Sequence, residues 1–239
     1  MNKIFLFLVC TILFLTVGCN SIGNGMPKIY KVGVSSPEVI EIEGNWHVEI
    51  ICNALSDDCE IIIDENLKDS FSAGGGRKFY AYLPQSMQPM VIPVLRLKLQ
   101  KSFRELSLEG NNICNIKNYK SDFLEAETAD GAVCVFNSCD IGKVELEVAD
   151  SGKISFKGSI KNIEAEISDR AVLEIENVEK LRLESSDNSI CRIKKCGSAA
   201  VKAEDNSKVI FKEVKTLDYK EFDDARVERP LIVSEELKK

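Results

Sequence analysis

Residues 144–158 read VELEVADSGKISFKG: an alternating run, an Asp-Ser-Gly triplet at 150–152, and a second alternating run. Val144, Leu146 and Val148 share one face before the triplet, and Ile154 and Phe156 share one after it. Side chains alternate faces along a strand, so each run is a strand with one apolar face, and the triplet is a tight turn. The pattern recurs on both sides. Marks at Gly110, Asp130, Asp150, Asp169, Asp187, Asp205 and Asp223 are spaced 20, 20, 19, 18, 18 and 18 residues apart. Four residues after the marks stand Cys114, Cys134, Ile154, Leu173, Cys191, Val209 and Val227; six after stand Ile116, Phe136, Phe156, Ile175, Ile193, Phe211 and Arg229. Four before stand Leu106, Ala126, Leu146, Ala165, Leu183, Val201 and Tyr219.

A single strand-turn-strand unit has nothing to bury its apolar face against. Stacking such units about 4.8 Å apart closes an interior lined by columns of like side chains. An antiparallel sandwich also uses short alternating strands, but gives no reason for one column to hold register over seven units. The pattern therefore predicts an all-β, single-domain β-solenoid with about 18–20 residues per repeat. At each turn the Asp is expected to bond its own following backbone, and the small third residue to leave room for the next coil.

The frame reappears upstream. Residues 40–50, IEIEGNWHVEI, match residues 106–116, LSLEGNNICNI, in length and apolar spacing, so Gly44 reads as another turn mark. Strand-like stretches follow at 59–64, 78–83 and 91–99, with 70–76 and 84–93 read as loops of an irregular first part. The expected solenoid domain spans 36–230, preceded by a polar tether at 19–35 and followed by a charged tail at 231–239. Near its end the columns fail at Glu221 and Arg229, as a terminal repeat that must blunt an open edge would.

The first eighteen residues predict a signal peptide: Lys3, an apolar run at 4–17, then Gly18-Cys19. The run is shorter than the roughly 20 residues of a spanning helix. Its ending resembles a bacterial lipoprotein signal, which implies that Cys19 becomes the lipidated first residue. An ordinary secretory signal or an uncleaved anchor are the alternatives, but no Ala-x-Ala site is present. Acyl chains on Cys19 would hold the chain on a membrane without a transmembrane helix. The implied address is the bacterial envelope, at the outer membrane.

The lipoprotein start, the lead-in IEIEGNWHVEI and units such as VELEVADSGKISFKG together resemble the head GIN domain family of putative adhesins, over residues 38–227. That resemblance implies a right-handed β-solenoid on a bacterial lipoprotein, in a family with no established enzyme activity.

Composition narrows the function. Hydrophobic residues at 44% and charged residues at 29% exclude a disordered chain and a polytopic membrane protein. A net charge of −7 argues against nucleic-acid binding. The single histidine, His47, excludes any His-pair metal site; beside Trp46 it is expected to point outward as a surface residue. Of nine cysteines, seven remain after Cys10 and Cys19, an odd number that cannot form a complete disulfide framework. Cys114, Cys134 and Cys191 share an inward column, where thiols act as small hydrophobes, and Cys139 and Cys196 read as packing residues at nine past their marks. Cys52 and Cys59 flank an expected hairpin loop and are the pair best placed for a bridge. The column from Asp130 to Asp223 stacks six carboxylates; a Ca²⁺ ladder and simple turn closure are the two readings, and turn closure is the expectation. Asp57-Asp58 and Asp223-Asp224 are adjacent on strands and diverge, so no catalytic pair emerges and no cofactor is implied. The expected function is a non-catalytic envelope or surface binding module, with membrane contact through the lipid and a protein or glycan ligand. A carbohydrate-active β-helix enzyme and a structural envelope spacer are the rival readings.

Overall fold

The computed structural model describes residues 21–230. The expected signal peptide, Cys19 and the tail at 231–239 lie outside the described residues. Among those described, no helix is long and apolar enough to cross a membrane.

The regular part is a β-solenoid. It opens with β8 (Glu105–Gly110), β9 (Ile113–Lys117) and β10 (Lys120–Thr128). Five long strands follow: β11 (Val133–Val148), β12 (Lys153–Ile167), β13 (Val172–Ser185), β14 (Ile190–Ala203) and β15 (Lys208–Glu221). Each long strand is one coil, running from one mark turn to the next and bending on the way. Neighbouring coils pair in parallel, with Cys134 beside Ile154 and Leu146 beside Ala165. The columns read from the sequence are the core: Cys134, Ile154 and Leu173 are fully buried, as are Phe136 and, within 2%, Phe156 and Ile175. Along one corner the rings of Phe103, Tyr119, Phe136 and Phe156 follow one another with centroids 5.0, 5.2 and 4.9 Å apart, the first pair tilted, the second edge-to-face and the third stacked.

The shortening of the repeat has one location. Asn137 pairs with Lys157 and Cys139 with Gly158, leaving Ser138 as an extra residue with φ 62°. One coil on, Phe156 pairs with Ile175 and Ser159 with Asn177, so two residues again face one. Gly158 holds this bulge at φ 146°, a conformation that side chains disfavour. The bulge also corrects an expectation. Cys139 lies opposite Gly158, whereas Ile141, Ile160, Val178, Cys196 and Val214 form one register, so Cys139 and Cys196 are not in the same column.

The first part is a two-layered start to the stack. Strand β2 (Val39–Gly44) pairs in parallel with β8, and β3 (His47–Cys52) with β9, in the register that sets Gly44 beside Gly110. Gly44 is thus a turn mark, and a Cβ on Gly110 would meet the Gly44 carbonyl at 2.4 Å. Asn112 fastens the two coils: its side-chain NH₂ donates to the Ile42 and Glu109 carbonyls at 3.0 and 2.7 Å, and its oxygen accepts from Trp46 N at 3.0 Å. Beyond them lie β4 (Asp58–Asp64), β6 (Lys78–Tyr82) and β7 (Val94–Leu99). Strands β6 and β7 pair in parallel with β2 and β3, and β4 pairs antiparallel with β7.

Two loop assignments are corrected. Residues 72–75, inside a stretch expected to be a loop, form β5 (Ser72–Gly75), antiparallel to β6. The expected tether holds β1 (Pro27–Lys31), antiparallel to β4, and Ser21 O accepts from Gln88 N at 3.1 Å, so this segment is fastened to the body. At the far end β16 (Arg226–Glu228) covers only the first residues of β15, where the columns were expected to fail.

Candidate binding surfaces

The turn edge is built by the main chain. Each marked Asp has φ between 55 and 58°, and the turn closes through backbone, as in Gly152 N to Ala149 O at 2.9 Å. The turns also ladder: Ser151 N donates to Asp130 O, Arg170 N to Asp150 O and Asn188 N to Asp169 O, at 2.7 to 2.8 Å. The expected carboxylate bond to the following backbone is therefore not what closes the turn. Instead Asp130 Oδ2 accepts from Gly110 N at 3.0 Å and Asp205 Oδ2 from Asp187 N at 3.4 Å, one coil earlier. Asp and Asn tolerate this left-handed conformation better than other side chains with a Cβ, which explains the residue choice. All six carboxylates are exposed. Among the described residues no three His, Cys, Asp or Glu side chains converge as metal ligands would.

The wall preceding the turns is acidic. Two outward columns run Glu105, Glu125, Glu145, Glu164 and, beside it, Glu127, Glu147, Glu166, Glu184. At about 4.8 Å per coil, neighbouring charges repel by roughly 0.9 kcal/mol even at the dielectric of water. Partial burial, and then the carboxylates of Glu147, Glu109, Glu105 and Glu125, raise the Glu127 carboxyl above its usual range. Lys143, within 2.8 Å of Glu145 and 3.4 Å of Glu164, relieves part of this.

Another wall carries a groove of about 880 Å³, within the range of roughly 300–1,000 Å³ typical of ligand sites. Its floor is the register of Ile160, Val178, Cys196 and Val214, and round it stand Lys161, Lys195, Lys212 and Lys215 together with Asp140, Glu179 and Glu213, the last 3.9 Å from Lys195. Spacing in the sequence already aligns Val178, Cys196 and Val214 nine residues past Asp169, Asp187 and Asp205; it misses Ile160, which falls 10 past Asp150, and the charged residues around them.

The remaining candidates are structural. Trp46 is fully buried, with its indole N–H donating to Glu43 O at 3.1 Å. His47 points outward as expected, half-buried between Val94 and Ile113. Asp57 is a staple: it accepts from Ser36 N and Oγ at 2.8 and 3.0 Å and from Gln100 N at 2.7 Å. Cys52 and Cys59 are free thiols and do not flank a hairpin. Cys52 pairs with Leu99 and Cys59 with Leu97, so β7 lies between their strands. Two strand spacings put their backbones roughly 9–10 Å apart, beyond the ~7 Å limit for a disulfide. Burial pushes the Cys52, Cys59 and Cys191 thiols up to about 12 and those of Cys139 and Cys196 up to about 11.

No protein-family model and no curated protein matches the sequence. Solved structures do match. A putative adhesin of Bacteroides fragilis NCTC 9343 superposes with a TM-score of 0.72 at 12% identity, covering 85% of this chain and 95% of its own. A putative lipid binding protein of Parabacteroides distasonis ATCC 8503 gives 0.71 at 11% identity, covering 88% and 99%. A putative adhesin of Parabacteroides merdae ATCC 43184 gives 0.68 at 16% identity, covering 88% and 98%. This chain shares their fold. At such identities the likeness extends to architecture along almost the whole length of each partner.

Proposed function

We propose that the chain is a lipid-anchored envelope protein of head GIN type, acting as a non-catalytic, adhesin-like binding module that holds a glycan or protein ligand on its solenoid walls. The observation that carries this reading is the groove over Ile160, Val178, Cys196 and Val214: open, apolar at its base and rimmed by charged side chains of both signs, four lysines with Asp140, Glu179 and Glu213. It lies on a fold that this chain has in common with solved putative adhesins. Cys19 is the lipid attachment point in this reading, and the outer membrane its address.

Two measurements test it. Replacing Cys19 with Ser is expected to abolish acyl labelling and release the protein from membranes; unchanged fractionation would remove the anchor. Purified protein screened against immobilised glycans and envelope proteins is expected to bind saturably, and Lys161→Glu with Lys195→Glu to weaken that binding tenfold or more. Catalytic release of new sugar ends from a bound glycan would replace the binding module with an enzyme.

A further inference from the structure

Ten large apolar side chains are exposed among the described residues, and five of them gather at one corner: Ile22, Met26, Ile29, Met90 and Ile92. Single exposed apolar residues need no explanation, but a contiguous patch marks an interaction surface. Main-chain pairings bring their segments together. Pro27 pairs with Asp64 at the end of β4, and Met26 O accepts from Glu65 N at 2.9 Å. The Met90 thioether lies 3.8 Å from where a Cβ on Gly25 would stand. Ile29, Ile62 and Val94 form one outward register, and Ile92 precedes Val94 by two residues.

The patch is also held in place. Asp64 is fully buried, and its Oδ2 accepts from Met90 N at 2.8 Å and Val91 N at 3.2 Å. The entering chain is clamped by Gly23 N to Gln88 O at 3.0 Å and Asn66 Nδ2 to Ile22 O at 2.8 Å. A carboxylate withdrawn from water to fix two amides leaves the methionine side chain facing outward, 69% exposed.

We infer that this corner is where the solenoid sits in a lipid surface. The inference rests on acylation at Cys19, and the chain's path supplies the rest. Cys19 lies two residues before Ser21, a reach of about 7 Å when fully extended. Ser21 is bonded to the body beside Gln88. Any bilayer that holds acyl chains on Cys19 must therefore lie within one side chain's reach of Ile22 and Met90. Apolar side chains at such an interface bury roughly 5–10 Å deep. The placement also sets how far the groove lies from the lipid-facing corner. From β1 the strand order runs β4, β7, β3, β9 and β11 to β16, ten spacings of about 4.8 Å. The stack thus spans roughly 48 Å, and the groove of β12–β15 lies toward the end away from the patch.

The test uses the full acylated chain in phosphatidylcholine–phosphatidylethanolamine vesicles. Met90→Trp places a reporter in the patch, Phe222→Trp places one at the far end, and buried Trp46 contributes a constant background in both. Lipids brominated near the headgroup end of their acyl chains are expected to quench the reporter at 90 at least twofold more than that at 222. Ile92→Trp repeats the measurement should Met90→Trp fold poorly. Acyl label on Cys19 with equal quenching at the two sites overturns the lipid contact and leaves the anchor standing. Absence of acyl label overturns both. A Cys19→Ser protein that dimerises in solution and shields position 90 assigns the patch to a second copy instead.

Discussion

Phe156 shows how much one inward position matters. Its ring stacks on Phe136 at 4.9 Å, it is 1% exposed, and it sits in register between Phe136 and Ile175. Truncating a buried aromatic removes transfer energy and leaves a cavity that stacked coils cannot collapse to fill. Phe156→Ala is therefore expected to cost about 3–5 kcal/mol. Lys157, the next residue, faces solvent, and Lys157→Ala should stay within about 0.5 kcal/mol. Urea titrations of both variants check this, and equal losses would refute the inward register. The inward positions were readable from sequence because alternation is a local property of a strand. Asn112 and Asp64 were not, since each earns its burial from amides far away in the chain: Trp46 and Ile42 for one, Met90 and Val91 for the other.

Among elements, the mark turns make the sharpest claim. Their aspartates adopt a left-handed φ and stay exposed, with carboxylates that accept at most a bond from the preceding coil or the neighbouring Ser, while backbone bonds close and ladder the turns. Asn keeps the tolerance for that φ and loses the charge. Asp169→Asn with Asp187→Asn should thus melt at the wild-type temperature or slightly above it. Ala at 187 should cost about 1–2 kcal/mol, the usual penalty for a Cβ in that region. Calcium at millimolar concentration should leave the wild-type melting temperature unchanged; a steep rise that the double Asn variant lacks would make the edge a cation ladder. The repeating strands were legible because each mark restarts the same pattern. Strand β5 was hidden because Ser-Ala-Gly-Gly carries no alternation and becomes a strand only by pairing with β6. The order β3, β7, β4 was hidden too, since nothing near Cys52 or Cys59 announces a strand arriving from residues 94–99.

At the scale of the whole molecule, the seven buried free thiols among the described residues set a limit on alkaline stability. Burial raises Cys52, Cys59 and Cys191 from 9.0 to about 12. A thiol whose folded value is raised stabilises the fold fully below its unfolded value, and that contribution is lost as pH rises toward the folded one. Stability should accordingly hold below pH 9 and fall between about pH 9 and 12, less steeply in Cys191→Val, as denaturant midpoints would record. At pH 8 a thiol reagent should label native protein at least a hundredfold more slowly than denatured protein, and fast native labelling would contradict the burial. The groove was legible only in part: Val178, Cys196 and Val214 keep one spacing from their marks, but Ile160 leaves that column because the corner before it changes length. That corner has a further meaning for how such a chain can vary. Losing one residue within a wall would turn every later side chain inside out up to the next turn. Losing one at the bulge of Ser138 or Gly158 leaves both flanking walls in phase, as the passage from 20 to 18 residues per coil already demonstrates. Insertions and deletions have a safe port of entry there, so coils of unequal girth can be shuffled or duplicated while the interior stays sealed.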